Sequence, residues 1–372
     1  MTSVAEGRPP LRASPAFALA RRLSESPLAV ALAVYGAALA WTLLVRLPLW
    51  RMDGLDDAFY VEVAHLWTRG VLPYAGAFDV KPPGFFAILA GAETLLGPSL
   101  DSLRAVAVAF DALAAAALYF LGRRFGSSGL GLFAAILYPV LSELVTSNDA
   151  YCPLGALTIL AFLAALSPMS PVKRAALTGL AIGAAGAVKQ TAGFEAVALA
   201  FVLLSAPDGA GRRGRAALAF ALAASVAPLA FLAYFAAHGA GQALVDDALL
   251  GALARPGSAS EGLTFLDGVG RYFLLQKSVA AIFAFTCLAL LRRRALAKTL
   301  PAAPLGALEA WFACASLSIL AQRSIAITQS TSRARQLSIS GASGASAGNA
   351  ATPVSAHTIT PRSAAKLTPD FP

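Results

Sequence analysis

A succession of apolar runs, each near the length of a bilayer crossing, leaves this chain few folds to choose from. On hydropathy, residues 27–49, 103–122, 128–147, 152–167, 175–188, 192–206, 216–236, 272–291 and 304–321 are nine candidate spans. A hydrocarbon core offers peptide groups no hydrogen-bond partner, so every crossing segment must be helical. Hydrophobic residues make up 58% of the 372 and charged residues 13%, too little polar surface for a water-soluble fold of this size. The expectation is an all-α polytopic membrane protein.

The formal net charge of +9 follows membrane topology rather than a nucleic-acid partner, because the basic residues sit at the ends of apolar runs. With residues 1–26 in the cytoplasm, 15 Arg and Lys fall on inner segments (Arg123, Arg124, Lys173, Arg174, Arg212 and Arg213 among them) and nine on outer ones. The first apolar run is too long for a signal-peptide core and lacks a clear cleavage site, which predicts a retained anchor. Cys152, Cys287 and Cys314 lie in or beside apolar segments without metal-ligand spacing and read as small core residues.

That charge asymmetry holds only if the apolar stretch 84–97 is not a span. Its 14 residues make roughly 21 Å of helix, short of a roughly 30 Å core. It is expected to lie on, or dip into, the outer interface. In the same loop, Phe59, Val63, Leu66 and Trp67 share one helical face while Glu62, His65 and Arg69 share another, predicting an amphipathic interfacial helix over 57–70. The domain plan is a membrane domain over 27–322, with a first external loop at 51–102 and a long one at 237–271, then a tail over 323–372. From Ser324 on, 15 of 49 residues are Ser or Thr, a composition that predicts disorder and that truncation or a reading-frame change would leave.

The first external loop is the most polar part of the membrane domain. Its adjacent carboxylates, Asp56 and Asp57, can accept a proton from an attacking group or hold a divalent cation that bridges a phosphate. Lys81 can neutralise phosphate charge, presented by a backbone stiffened at Pro82-Pro83. A solvated acidic loop is the bland alternative.

The ordered set Asp56-Asp57, Tyr60, Gly70, Leu72-Pro73-Tyr74 and Asp79-x-Lys81-Pro82-Pro83-Gly84 resembles the GT-C membrane glycosyltransferases. It looks closest to the bacterial branch related to protein O-mannosyltransferases and lipid A aminoarabinose transferases. The likeness extends through Leu103-Arg104, the 121–126 segment, Asn148-Asp149, Gly183 and Lys189-Gln190, and fades near residue 290. It implies a GT-C-like helical bundle with interfacial helices in the first external loop, seated in the bacterial cytoplasmic (inner) membrane of the cell envelope. It also implies a polyprenyl-phosphate sugar donor and a lipid, glycan or protein acceptor on the outer face. On this resemblance Asp56 is the base or acceptor-orienting carboxylate, and Asp57 shapes the site. Asp56 and Asp57 are also the metal candidates, should a divalent cation take part. Tyr60, Asp79, Lys81, Asp149 and Lys189 contact substrate, with the two lysines on the donor phosphate. Asp149 can equally cap the helix starting near Cys152, and Lys189 can snorkel from a span end.

Elsewhere, Asp111 sits mid-span and calls for a buried partner first, a place in a lipid-phosphate cavity second. Glu143 and Glu195 are weaker candidates, and His65 belongs on the polar face of its helix. Asp246, Asp247, Glu261, Asp267 and Arg271 suggest acceptor binding in the long loop or a solvated surface. Gly179 and Gly183 have the spacing of close helix packing. Two alternatives to an enzyme are kept: an inactive or truncated transferase-like scaffold, raised by the tail, and a secondary transporter, disfavoured because only Asp111 is deep.

Overall fold

The computed structural model describes residues 26–50, 56–76, 81–145, 151–205 and 210–251, together with Gly306 and Glu309. The candidate span at 272–291, that at 304–321 apart from Gly306 and Glu309, the tail, Asp79, Asp149, Glu261, Asp267, Arg271, Cys287 and Cys314 lie outside the described residues, as do all but the last residue of 1–26.

Among the described residues the fold is helical without strands. The helices are α1 (Pro27–Arg46), α2 (Asp57–Thr68), α3 (Pro83–Leu96), α4 (Leu100–Arg124), α5 (Ser128–Val145), α6 (Cys152–Ala165), α7 (Pro171–Val188), α8 (Ala192–Leu204), α9 (Ala210–Ala237) and the single turn α10 (Gly241–Leu244). A short 3-10 turn, Leu47–Leu49, follows α1, and a π-helical turn, Val245–Gly251, follows α10. Starts are marked chemically: Ser26 and Ser99 cap α1 and α4 through their hydroxyls, and Pro occupies the first turn of α1, α3, α6 and α7.

Helices α1, α4 and α9 are each long and apolar enough to cross a membrane. This is an integral membrane protein of all-α, polytopic design. Helices α6 and α8, expected as spans, have 14 and 13 residues, no longer than the 14 of α3. Length therefore does not set α3 apart; its packing against α2 does.

Close backbone approach holds the bundle together. A Cβ on Gly179 or Gly183 would stand 2.4 Å from the Phe220 carbonyl oxygen or 2.2 Å from that of Ala224, so α7 and α9 touch through the small residues of the expected packing motif. Gly122 and Gly131 bring α4 against α5 in the same way.

A buried polar knot pins four helices. Arg46, at the end of α1 and 4% exposed, donates to Asp111 Oδ2 of α4 through Nε at 3.2 Å and Nη2 at 2.8 Å. Ser142 of α5 donates to Asp111 Oδ1 at 3.3 Å, and Arg46 Nη2 also donates to Cys152 Sγ of α6 at 3.2 Å. Asp111 thus has the buried partner its position demanded. One reading changes here: Cys152, expected as a small core residue, also accepts a hydrogen bond from Arg46.

Candidate functional site

The site forms where the first turn of α2 meets the Lys81-Pro82 segment leading into α3. Asp56 stands at the N-cap of α2 yet makes no capping bond with its side chain. Its Oδ2 instead accepts from Tyr60 Oη, one helical turn on, at 2.9 Å. Lys81 Nζ in turn donates to Tyr60 Oη and lies 4.1 Å above that ring. Ammonium, phenol and carboxylate therefore form one chain, with Asp56 at its exposed end.

Tyr60 is fixed by packing. Its ring, 1% exposed, meets Phe85 and Phe86 of α3 edge-on at 5.4 and 6.3 Å and joins a core with Val63, Leu89, Leu103, Val106 and Val188. Lys81 is held at its backbone as well, where Tyr74 Oη donates to its carbonyl. Tyr74 has a positive φ of 70°, costly for an aromatic residue, and is clamped by a tilted ring contact with Phe235 of α9 at 5.5 Å.

Asp57, 6% exposed, points into the protein while Asp56 faces out, because adjacent helical positions diverge by about 100°. A divalent cation wants several oxygen ligands, and among the described residues no three His, Cys, Asp or Glu side chains converge. The two carboxylates of the tandem pair therefore meet different surroundings, one exposed and one buried.

Lys189 reaches the same neighbourhood through α7. The start of α3 abuts the last turn of α7 so closely that a Cβ on Gly84 would stand 2.5 Å from the Ala187 carbonyl oxygen, and Val188 packs with Tyr60. Next in sequence, Lys189 places its Nζ 3.7 Å over the Tyr151 ring at the start of α6. Gln190 donates to the Ala248 carbonyl at 2.6 Å, tying the π-helical turn with Asp246 and Asp247 to this end of the bundle. Burial, then its neighbour Asp246, raise the Asp247 carboxyl. The start of the expected long loop is thus helical and docked.

The predicted apolar face of α2 needs correction. Its buried seam is Asp57, Tyr60, Val63 and Ala64, while Phe59 is 42% exposed. An interfacial helix has two apolar neighbours, protein and lipid, so its apolar residues need not share one stripe.

Sequence reasoning passed over Glu93. It is 5% exposed, neither carboxylate oxygen has a hydrogen-bond partner, and His65 Nδ1 lies 3.9 Å from Oε2. Burial first, and Glu62 second, push its carboxyl up to about 7. A lone acid in the apolar run PGFFAILAGAETLL was the available signal. His65 faces this group rather than open solvent alone. Beside the pair, α2, α3 and α9 enclose an apolar groove of 680 Å³ lined by Trp67, Ala87, Ala90, Phe231 and Tyr234 among others.

Fold and geometry define an integral membrane helical bundle with an acid–phenol–amine chain mounted where α2 meets the start of α3. Residues 80–237 match the family model of dolichyl-phosphate-mannose-protein mannosyltransferases. The match spans less than half of the chain. Over those residues the chain is similar to that family. It takes in Lys81, Asp149 and Lys189 and begins after Asp56, Asp57 and Tyr60. No curated protein and no solved structure matches the chain.

Proposed function

We propose that the chain transfers a sugar from a polyprenyl-phosphate donor to a hydroxyl of a lipid, glycan or protein acceptor. The setting is the outer face of the bacterial cytoplasmic membrane, with the N-terminus inside. The observation that carries this reading is the Lys81–Tyr60–Asp56 chain, which puts an exposed carboxylate and a cation on one buried phenol.

In the reaction, the acceptor oxygen bonds to the sugar's anomeric carbon as the bond from that carbon to the phosphate oxygen breaks. The acceptor proton passes to Asp56, and the leaving polyprenyl phosphate takes the electron pair. Lys81 and Lys189 meet the charge that develops on phosphate. On the sequence resemblance Asp79 and Asp149 contact substrate, and Asp57 supports the first turn of α2. The groove between α2, α3 and α9 offers the isoprenoid chain an apolar bed beside the interface.

Sugar transfer from labelled polyprenyl-phosphate donor, measured in membranes holding equal amounts of each protein, tests the assignment. Asp56→Asn is expected to lower turnover by roughly 100-fold or more, the usual contribution of a general base. Glu62→Gln, exposed on the next turn of the same helix, should leave it unchanged. Full turnover in Asp56→Asn would sink the proposal.

A further inference from the structure

At the opposite end of the bundle, α4 and α7 each pack on α6, and a cavity of 710 Å³ opens between them. Phe120, Leu160, Leu163 and Leu177 contribute an apolar wall, while the exposed Arg123 and Arg124 line its charged end. Lys173, also exposed, precedes Leu177 by one helical turn and so extends the basic end on the same face of α7. The Arg123 guanidinium lies 5.9 Å over the Tyr119 ring, which steadies it on α4. Among the described residues no carboxylate lines the cavity.

The lining runs along the helix axes, from Leu160 to Ala164 on α6 and from Leu177 to Ala181 on α7. The shape is amphipathic lengthwise: guanidinium groups at one end and an apolar channel leading away from them. A soluble phosphate would use the arginines and leave that channel empty. We propose that this cavity binds an anionic phospholipid of the inner leaflet, its phosphate on Arg123, Arg124 and Lys173 and one acyl chain along α6. Guanidinium suits phosphate because its paired N–H groups match two oxygens, and basic pockets between spans on the cytoplasmic side recur as anionic-lipid sites. The proposal is independent of the transferase reading.

The test reconstitutes the full chain in nanodiscs of phosphatidylcholine doped with phosphatidylglycerol, extracts it in mild detergent and counts retained lipid by native mass spectrometry. Wild type should retain phosphatidylglycerol over phosphatidylcholine. R123Q/R124Q should lose it by roughly tenfold or more, the effect of losing charge-assisted hydrogen bonds. R212Q/R213Q, equally basic and on the same side but away from the cavity, should retain it. A181W keeps both arginines and fills the channel, so its expected loss of lipid reports on the cavity even where the arginine pair folds poorly. Equal loss in the two arginine doubles, unchanged retention in A181W, or displacement of the lipid by glycerol phosphate would each overturn the proposal.

Discussion

Tyr60 decides how the charged residues around it behave. A carboxylate at a helix N-cap ordinarily spends itself on backbone N–H groups, but here the phenol takes it and leaves its other oxygen to solvent. Tyr60→Phe keeps the edge-on packing with Phe85 and Phe86 and removes only the link. Turnover is expected to fall by roughly ten- to a hundredfold, the equivalent of one hydrogen bond to a charged group, while the melting temperature stays near wild type. A steady-state assay beside a thermal melt checks both. Glu93 gives a prediction of another kind. Its carboxyl is raised to about 7 in the fold, so the native state holds more protons than the unfolded chain between the ordinary glutamate range and about 7. Stability should therefore fall as pH rises through that window and flatten above it; His65, 3.9 Å away, and Glu62 are the groups that face this carboxyl. In Glu93→Gln that dependence should weaken, and at pH 8 the variant should melt above wild type. Melts in detergent at pH 5, 6, 7 and 8 would reveal the crossover; parallel curves would exclude it. Asp56, Tyr60 and Lys81 were legible because they form an ordered set in a short polar loop. Glu93 was not, because its meaning comes from a fold contact with His65, 28 positions away in sequence.

At the scale of elements, α3 is the piece on which the site hangs. Pro82 and Pro83 fix its entry, and Gly84 lets it seat on α7, which is how Lys81 and Lys189 come to flank one core. The contact on Gly84 is backbone, so a methyl group there can be accommodated only by moving the helix. Gly84→Ala should cost about 1–3 kcal/mol, the usual range for overpacking, and should lower turnover more than a loss of folded protein explains. Gly91→Ala, with open space at its Cβ, is the matched control and should be neutral or mildly stabilising. Comparing melts and specific activities of the two variants separates the effects. Most described helices were readable from hydropathy; the ends of α1, α4, α5 and α6 lie within three residues of expectation, whereas α7 and α9 start four and six residues early, because their opening turns carry Lys173, Arg174, Arg212, Arg213 and Arg215. The faces were less readable. Hydropathy cannot distinguish an apolar residue meant for protein from one meant for lipid, so the apolar face expected on α2 includes the exposed Phe59, while the polar Asp57 and aromatic Tyr60 take the buried seam.

For the molecule as a whole, the question is what keeps short helices such as α6 and α8 in one arrangement when lipid removes the hydrophobic force between them. Glycine contacts bring pairs together, α7 with α9 and α4 with α5, but each acts on only two helices. The Arg46–Asp111 pair acts on four, because Ser142 and Cys152 bring α5 and α6 to it. A buried ion pair of this kind need not add net stability over a well-packed apolar pair; it penalises every arrangement that leaves one charge alone. That asymmetry is measurable. Asp111→Leu takes the carboxylate away from a buried guanidinium and should cost roughly 3–5 kcal/mol, whereas Arg46→Leu/Asp111→Leu should recover most of the loss. Chemical unfolding in detergent gives both values. If the double variant is as unstable as the single, the knot contributes affinity rather than register. If it recovers stability but its α1 and α5 no longer cross-link at the Trp41 and Ile136 positions, which now meet through a 2.9 Å hydrogen bond, the ion pair is what selects the packing.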